Sequence, residues 1–214
     1  MPDKMTIKEA REITGHTTGL GKTSKMPGFS TGIPAIHCER GQKLAKIPGS
    51  VCFDCYAMKG KYRTKSVKKG QARRYAALSH PRWIEGMVRL IGHQVDPMEP
   101  WFRIHDSGDS QSPEHVKAWA EIARRLPWVQ FWMPSKELQH VKEAMRGVDD
   151  WPSNLVIRIS APLIGKTLRA WGLPTSSVDA GTGHRCPAYD QDGKCGPCRA
   201  CWDPAVENVD YKKH

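Results

Sequence analysis

Apolar residues in the middle of the chain occur in short runs separated by longer amphipathic stretches, which predicts strands alternating with helices. Runs that suit buried strands lie at residues 101–105, 129–133 and 155–160. After the first run, Ser112 and Pro113 predict the start of a helix. Its apolar residues recur at helical spacing, at Val116, Trp119, Ala120, Ile122, Ala123 and Leu126. With a further helix predicted at 136–145, this alternation is typical of an α/β protein with a parallel sheet.

The flanking regions give weaker patterns. Residues 1–50 are rich in Gly, Thr, Lys and Pro, and beyond a short helix at 6–13 we expect them to wrap the core as loops. Two helices are predicted at 71–78 and 81–94, with Pro81 beginning the second, or a single helix that is broken at Pro81. From residue 175 onward the chain is rich in Gly, Pro and Cys and lacks periodicity, so we expect a loop organised by metal. We expect a single domain over residues 1–214, made of an N-terminal segment (1–60), a β/α core (70–165) and a tail (175–214).

Composition and the cysteine count restrict the cellular setting. The chain has 214 residues, 39% of them hydrophobic, which is enough for one sizeable core. It contains no run of about 18 apolar residues and no apolar signal segment, so we expect neither a membrane span nor secretion. A cytoplasmic location keeps thiols reduced, and seven cysteines are therefore more suited to metal binding than to disulfides.

Four of the seven cysteines lie close together in the tail: Cys186, Cys195, Cys198 and Cys201. Two-residue gaps bring successive sulfurs to the same side of a turn, and they suit both zinc and iron. Zinc sites usually use two separated pairs of ligands. A C-x2-C-x2-C run with a further Cys-Pro is closer to an iron–sulfur pattern. The sequence therefore predicts a 4Fe-4S cluster, with zinc as the alternative.

The remaining cysteines form a weaker motif near residue 50. Cys52 and Cys55 form a second C-x2-C, and Cys38 lies fourteen residues before Cys52. Two arrangements are open. Either the four tail cysteines bind the cluster alone and the other three are structural or bind a second metal, or Cys55 replaces one tail ligand. Among the histidines, His184 is the one expected to neighbour the cluster.

Polar residues follow each of the three predicted strands. The candidates for catalysis are His105, Asp106, Ser107, Asp109, Lys136 and Arg158. Because parallel strands end at one edge of a sheet, we expect these side chains to share a rim that binds a small anionic or carbonyl-bearing molecule. Asp and Ser are also ordinary turn residues, so a structural role for Asp106 and Asp109 is the alternative.

The net charge of +11 permits a polyanionic partner. Basic residues concentrate between Lys59 and Arg74, and they are not interleaved with the aromatic residues that stack on bases. This segment predicts nucleic-acid binding as a possible second function.

Several of these segments together resemble a phage-encoded family called gene product 88, and more distantly phage proteins with a radical-SAM-type barrel. The matching segments are 19–23, 33–35 with Cys38, 55–60, 103–109 with Trp119, 131–136, Cys186-Pro187, and Cys195, Cys198 and Cys201 with Trp202. The resemblance implies a viral origin, the cytoplasm of a bacterial host and a partial (β/α) barrel. The radical-SAM signature C-x3-C-x2-C is absent, so SAM cleavage is not expected.

The sequence thus predicts a phage iron–sulfur protein that acts on a small molecule at the rim, by hydrolysis or redox chemistry. In a hydrolytic reaction, Asp106, Asp109 and Lys136 would orient substrate and water. In a redox reaction, the cluster would pass electrons. The alternative is a basic module, stapled by zinc or a cluster, that binds nucleic acid through the segment from Lys59 to Arg74.

Overall fold

A seven-stranded sheet is the centre of the computed structural model, which describes residues 5–213. The strand order is β1-β2-β3-β4-β5-β7-β6, and every neighbouring pair is parallel. The strands are β1 (Phe29–Ser30), β2 (Trp101–Arg103), β3 (Gln130–Ser135), β4 (Leu155–Ser160), β5 (Thr175–Val178), β6 (His184–Arg185) and β7 (Asn208–Tyr211). The predicted α/β class with a parallel sheet is confirmed.

Six α-helices accompany the sheet in the described part of the chain. They are α1 (Ile7–Thr14), α2 (Glu39–Leu44), α3 (Lys65–Ala77), α4 (Trp83–Gln94), α5 (Pro113–Arg125) and α6 (Leu138–Met145). The sequence signals for α5 act as expected, because the Ser112 hydroxyl accepts the His115 N–H at 3.2 Å and Pro113 occupies the first turn. None of the helices between residues 5 and 213 combines the length and apolarity that crossing a bilayer requires.

One face of the sheet packs against helices and forms the hydrophobic core. Side chains alternate along each strand, so every second residue points to this face. The strand contribution is Phe102, Ile104, Phe131, Met133, Leu155, Ile157 and Ile159, all buried. Helix α4 supplies Met87, Leu90 and Ile91, and α5 supplies Val116, Trp119 and Ile122. This burial fixes the strand ends, and hence the loops that follow them.

The opposite face is covered by the tail. Trp202 lies against Trp101 and Trp132 with ring centroids 5.5 and 5.3 Å apart, and its indole N–H donates to the Phe102 carbonyl at 3.1 Å. Trp202 belongs to a 3-10 turn, Ala200–Trp202, that also contains Cys201. The cysteine-rich segment is therefore anchored on the sheet rather than extended into solvent.

Three expectations about the flanking regions are wrong. The tail is not all loop, because β5, β6 and β7 extend the sheet. Strands β5 and β7 are joined by buried polar side chains, such as the Ser177 hydroxyl that donates to Asp210 at 2.7 Å. Their sequences therefore lack the alternation of apolar residues from which a strand is predicted. Pro81 does not begin a helix, since α4 starts at Trp83 after a turn. The first fifty residues contain α2 and β1 as well as α1.

Candidate functional site

Four cysteines of the tail, Cys186, Cys195, Cys198 and Cys201, form what we call the tail group. Backbone hydrogen bonds fix their positions. The Cys186 N–H donates to Asp210 O at 2.8 Å just after β6, the Cys195 N–H donates to Lys25 O at 2.8 Å, and the Cys198 N–H donates to Cys195 O at 3.1 Å. All four are partly buried, free thiols. The tail group is therefore a set of reduced sulfurs held by the sheet.

The thiols of the tail group lie close enough to act on one another electrostatically. Burial raises the pKa of Cys201 to about 12, and its neighbours Cys186 and Cys195 add to the rise. Burial also raises the pKa of Cys195, with Cys186 and Cys198 adding to it. These raised pKa values favour the protonated thiols of Cys195 and Cys201 at neutral pH, whereas a bound metal would stabilise the thiolates.

Two arginine side chains, Arg158 and Arg103, lie near the tail group. Arg158 is fully buried and donates to five backbone carbonyls at 2.6 to 3.2 Å, those of Thr175, Ala200, Cys201, Asp203 and Val206. Half-buried Arg103 lies over the Trp132 ring at 4.8 Å, and its Nε is buried without a hydrogen-bond partner. Among the described residues, neither guanidinium forms an ion pair. The tail group thus lies in an electropositive environment that an anion would neutralise.

Two further side chains contact the sulfurs directly. The Tyr211 hydroxyl lies 3.1 Å from Sγ of Cys201, and His184 Nε2 lies 3.4 Å from Sγ of Cys198. The sequence had singled out His184 as a neighbour of the tail cysteines. Tyr211 gave no such signal, because it reaches Cys201 only through the pairing of β7 with β5.

The spacing of these side chains bears on which metal they fit. Within residues 5–213, no three His, Cys, Asp or Glu side chains are placed to bind a single metal ion. A 4Fe-4S cluster places each thiolate on a different iron, so its ligands stand farther apart than those of one ion. The composition of the tail group, four sulfurs near the guanidinium groups of Arg103 and Arg158, fits such an anionic cluster.

The strand-end rim brings together only part of the predicted catalytic set. Asp109 lies beside Lys136 and Ser135, because β2 and β3 are neighbours. Its carboxylate accepts the Ser135 hydroxyl at 2.6 Å, the Lys136 N–H at 2.8 Å and the Ser110 N–H at 2.8 Å. Burial raises the pKa of Asp109, and these hydrogen bonds oppose the rise. The carboxylate therefore ties two strand ends together and has little capacity left for substrate.

Ser107 and Arg158 are also engaged in structure. The Ser107 hydroxyl donates to Ile33 O at 2.8 Å and accepts Gln71 Nε2 at 2.6 Å. Arg158 lies on the tail-facing side of β4 and does not join the rim. Asp106 remains at the rim, where its carboxylate accepts the Ser30 hydroxyl at 2.9 Å.

His105 is the most unusual residue at the rim. Its backbone is left-handed, with φ of 60°, and its side chain is only 3% exposed. Neither ring nitrogen has a hydrogen-bond partner. Burial lowers the pKa of His105 well below its usual value, with His115 and Arg103 adding to the effect, so the ring is neutral. It lines a small cavity with His16, Thr31, Arg74, His115 and Trp119. Backbone strain and an unpaired buried side chain at one residue are typical of functional sites.

The second C-x2-C lies with Cys38, because Cys55 and Cys52 act electrostatically on Cys38. We call Cys38, Cys52 and Cys55 the rim group, because Asp109 and Lys136 of the rim act on both Cys38 and Cys52. Cys38 lies fourteen residues before Cys52, and the sequence placed it among the three cysteines that are structural or bind a second metal.

The basic segment is helix α3 and the turn before it. The helix lies beside the rim, since Gln71 reaches Ser107 and Arg74 donates to Gly32 O at 2.6 Å. Lys65, Lys68 and Lys69 are exposed, and within the described residues none of the three forms an ion pair.

Comparison with known proteins gives one match. The family model described as gene product 88 matches residues 5–204, a range that contains both cysteine groups and the rim. No curated protein and no solved structure matches the chain. The resemblance to this family is confirmed, and the likeness to radical-SAM-type barrels stays a prediction.

Proposed function

The chain belongs to the gene product 88 family of phage gene products, and from its site we propose that it is an iron–sulfur enzyme of the host cytoplasm. In this proposal the tail group binds a 4Fe-4S cluster against the sheet, and a small molecule is transformed at the strand-end rim.

One observation carries the proposal: four thiols gather beside arginines that have no ion-pair partner. Burying a cation is costly unless hydrogen bonds or opposite charges compensate it. A cluster bound by four thiolates is anionic, and it would add negative charge next to Arg103 and Arg158, on which the carboxylates of Asp106 and Asp203 already act. Zinc bound by four thiolates is also anionic, but the C-x2-C-x2-C run with a further Cys-Pro is closer to an iron–sulfur pattern.

The fold supports a finer proposal, an incomplete (β/α) barrel. Strands β1 to β5 are neighbours in chain order, as in barrels, whereas doubly wound sheets reverse direction near the middle. The core helices pack on one face and the tail packs on the other. The face covered by the tail would then be the barrel interior, and Cys201 would lie inside it.

Redox chemistry is favoured over hydrolysis because most of the polar residues predicted to be catalytic already form hydrogen bonds within the protein. Asp109 and Ser107 are committed to hydrogen bonds within the protein, and Arg158 binds the tail backbone. A bound cluster would supply one-electron transfer, with its potential tuned by hydrogen bonds such as that from Tyr211. The rim side chains left for substrate are those of Asp106 and Lys136, whereas His105 is buried and neutral.

The experiment is electron paramagnetic resonance of protein purified without oxygen and reduced with dithionite. We expect a brown protein with a 4Fe-4S signal from the tail group, and the Cys195→Ser, Cys198→Ser double variant should lose that signal. Lys194→Ala is the matched control, because Lys194 is exposed and adjoins Cys195, and it should keep the signal. A colourless protein containing zinc would overturn the proposal and favour the zinc-stapled alternative.

A further inference from the structure

We propose that the rim group, Cys38, Cys52 and Cys55, binds a second 4Fe-4S cluster, one iron of which has no protein ligand and binds a small carboxylate. The rim-group cluster is a metal site in addition to the one in the proposed function. It can be confirmed or contradicted independently of the tail-group cluster.

The backbone holds these three thiols in fixed loops. Cys38 precedes α2, and its carbonyl accepts the Gln42 N–H at 2.9 Å. The loop bearing Cys52 is fastened to α2 by Ser50, whose hydroxyl donates to Leu44 O at 2.6 Å and accepts the Phe53 N–H at 3.1 Å. The same loop is fastened near the end of β4, where the Val51 N–H donates to Pro162 O at 3.0 Å. These hydrogen bonds hold the loop that bears Cys52 against α2 and against the end of β4.

A glycine leaves room between two of the sulfurs. A Cβ atom at Gly41 would lie 3.7 Å from Sγ of Cys38 and 3.9 Å from Sγ of Cys52. Both sulfurs thus face the same small space over the first turn of α2. Cys55 acts electrostatically on both Cys38 and Cys52, so the third thiol borders the same region.

Among residues 5–213, the candidate fourth ligands that we considered, the other cysteines, Asp109 and Glu137, are already engaged elsewhere. The other four cysteines of the chain belong to the tail group. Asp109 already accepts three hydrogen bonds, and Glu137 accepts the Arg40 N–H at 2.7 Å. Three thiolates satisfy three irons of a cubane, so the fourth iron would take a ligand from solution.

The surroundings of the rim group indicate the charge of that ligand. Lys136 acts on Cys38 and Cys52, and basic helix α3 lies beside the rim. Oxygen donors are hard ligands that suit iron, and a carboxylate would also be attracted by the Lys136 ammonium. A small carboxylate is therefore the class of molecule that fits this iron.

The test measures iron, acid-labile sulfide and paramagnetic resonance in protein purified without oxygen. The triple variant Cys38→Ala, Cys52→Ala, Cys55→Ala should lose about half the iron and sulfide while keeping the tail signal. Phe53→Ser is the control for the loop, because Phe53 is exposed between the two cysteines, and it should keep the full content. Gly41→Leu should lower the iron content with all thiols present, which covers the case of a misfolded triple variant. Full iron content in both the triple variant and Gly41→Leu would overturn the proposal.

The open iron is tested on the same material. Mild oxidation with ferricyanide should remove the iron without a cysteine ligand and give a 3Fe-4S resonance, which the triple variant should lack. Citrate added to reduced wild-type protein should change the rim resonance and leave the tail resonance unchanged. If neither ferricyanide nor citrate changes the spectrum, the proposal that one iron of the rim group has no protein ligand is contradicted. The Cys195→Ser, Cys198→Ser variant should lose the tail-group signal and keep the rim-group signal, which would support a cluster at the rim group that is independent of the tail group.

Discussion

At the scale of single residues, the rim is supported by buried histidines that remain neutral. The Trp119 indole, which can only donate, gives a 3.0 Å hydrogen bond to Nε2 of His115, so that nitrogen carries no proton. Burial lowers the pKa of His115 to about 4, and the charge of His140 adds to the effect. Burial lowers the pKa of His16 to about 3, with Arg74 adding to it.

These histidines predict a loss of stability in mild acid. An unfolded chain binds a proton at each below about pH 6.5, whereas the folded chain does not until its lower pKa is reached. The contribution of these neutral histidines to the free energy of unfolding is therefore fully present above about pH 6.5. It falls as the pH drops toward 4, by about 1.4 kcal/mol per pH unit for each group. Urea unfolding at about pH 7 and about pH 5 measures this. His115→Gln should show a shallower pH dependence than wild type, and an unchanged slope would contradict the assignment.

At the scale of elements, sequence patterns predicted what apolar burial determines. The helix capped by Ser112 and the strand Leu155–Ser160 lie where their patterns placed them. Strands β5 and β7 were missed because Ser176, Ser177 and Asp210 are buried through hydrogen bonds rather than apolar contacts. The rim residues were predicted from the strand ends, but their commitment to structural hydrogen bonds depends on neighbours distant in sequence, such as Gln71 for Ser107.

Arg158 predicts how β4 and the tail depend on each other. Its guanidinium donates to carbonyls within the Ala200–Trp202 turn and directly after it, and a lysine ammonium cannot reach them all. Each lost hydrogen bond to a charged group costs about 1.5–3 kcal/mol, so Arg158→Lys should lower the free energy of unfolding by about 3 kcal/mol or more. Chemical denaturation measures this loss, and hydrogen exchange should show faster opening of the tail. Arg124→Lys, at a half-exposed site, is the control and should change little.

At the scale of the whole molecule, much of the net charge of +11 lies in the basic segment from Lys59 to Arg74. This segment lies beside the rim. Arg103 lies between the two cysteine groups, since it donates to the Tyr56 hydroxyl at 3.2 Å and acts on Cys195. Tyr56 directly follows Cys55, so one guanidinium connects the surroundings of both groups.

The exposed lysines of α3 allow the nucleic-acid alternative to be tested. If Lys65, Lys68 and Lys69 contact phosphates, replacing all three with Gln should reduce the slope of log affinity against log salt by about 2–3 for duplex DNA. Fluorescence anisotropy over a range of salt concentrations measures the slope. The iron content should not change, because these residues lie outside both cysteine groups. Wild-type protein that shows no salt-dependent binding would remove this second function.

The most direct test of the account is the metal and sulfide content of wild-type protein purified without oxygen. The account predicts iron and acid-labile sulfide in equal amounts, with a brown colour that disappears when the cysteines of the tail group and the rim group are replaced. Protein that contains zinc, or no metal, and releases no sulfide would contradict it.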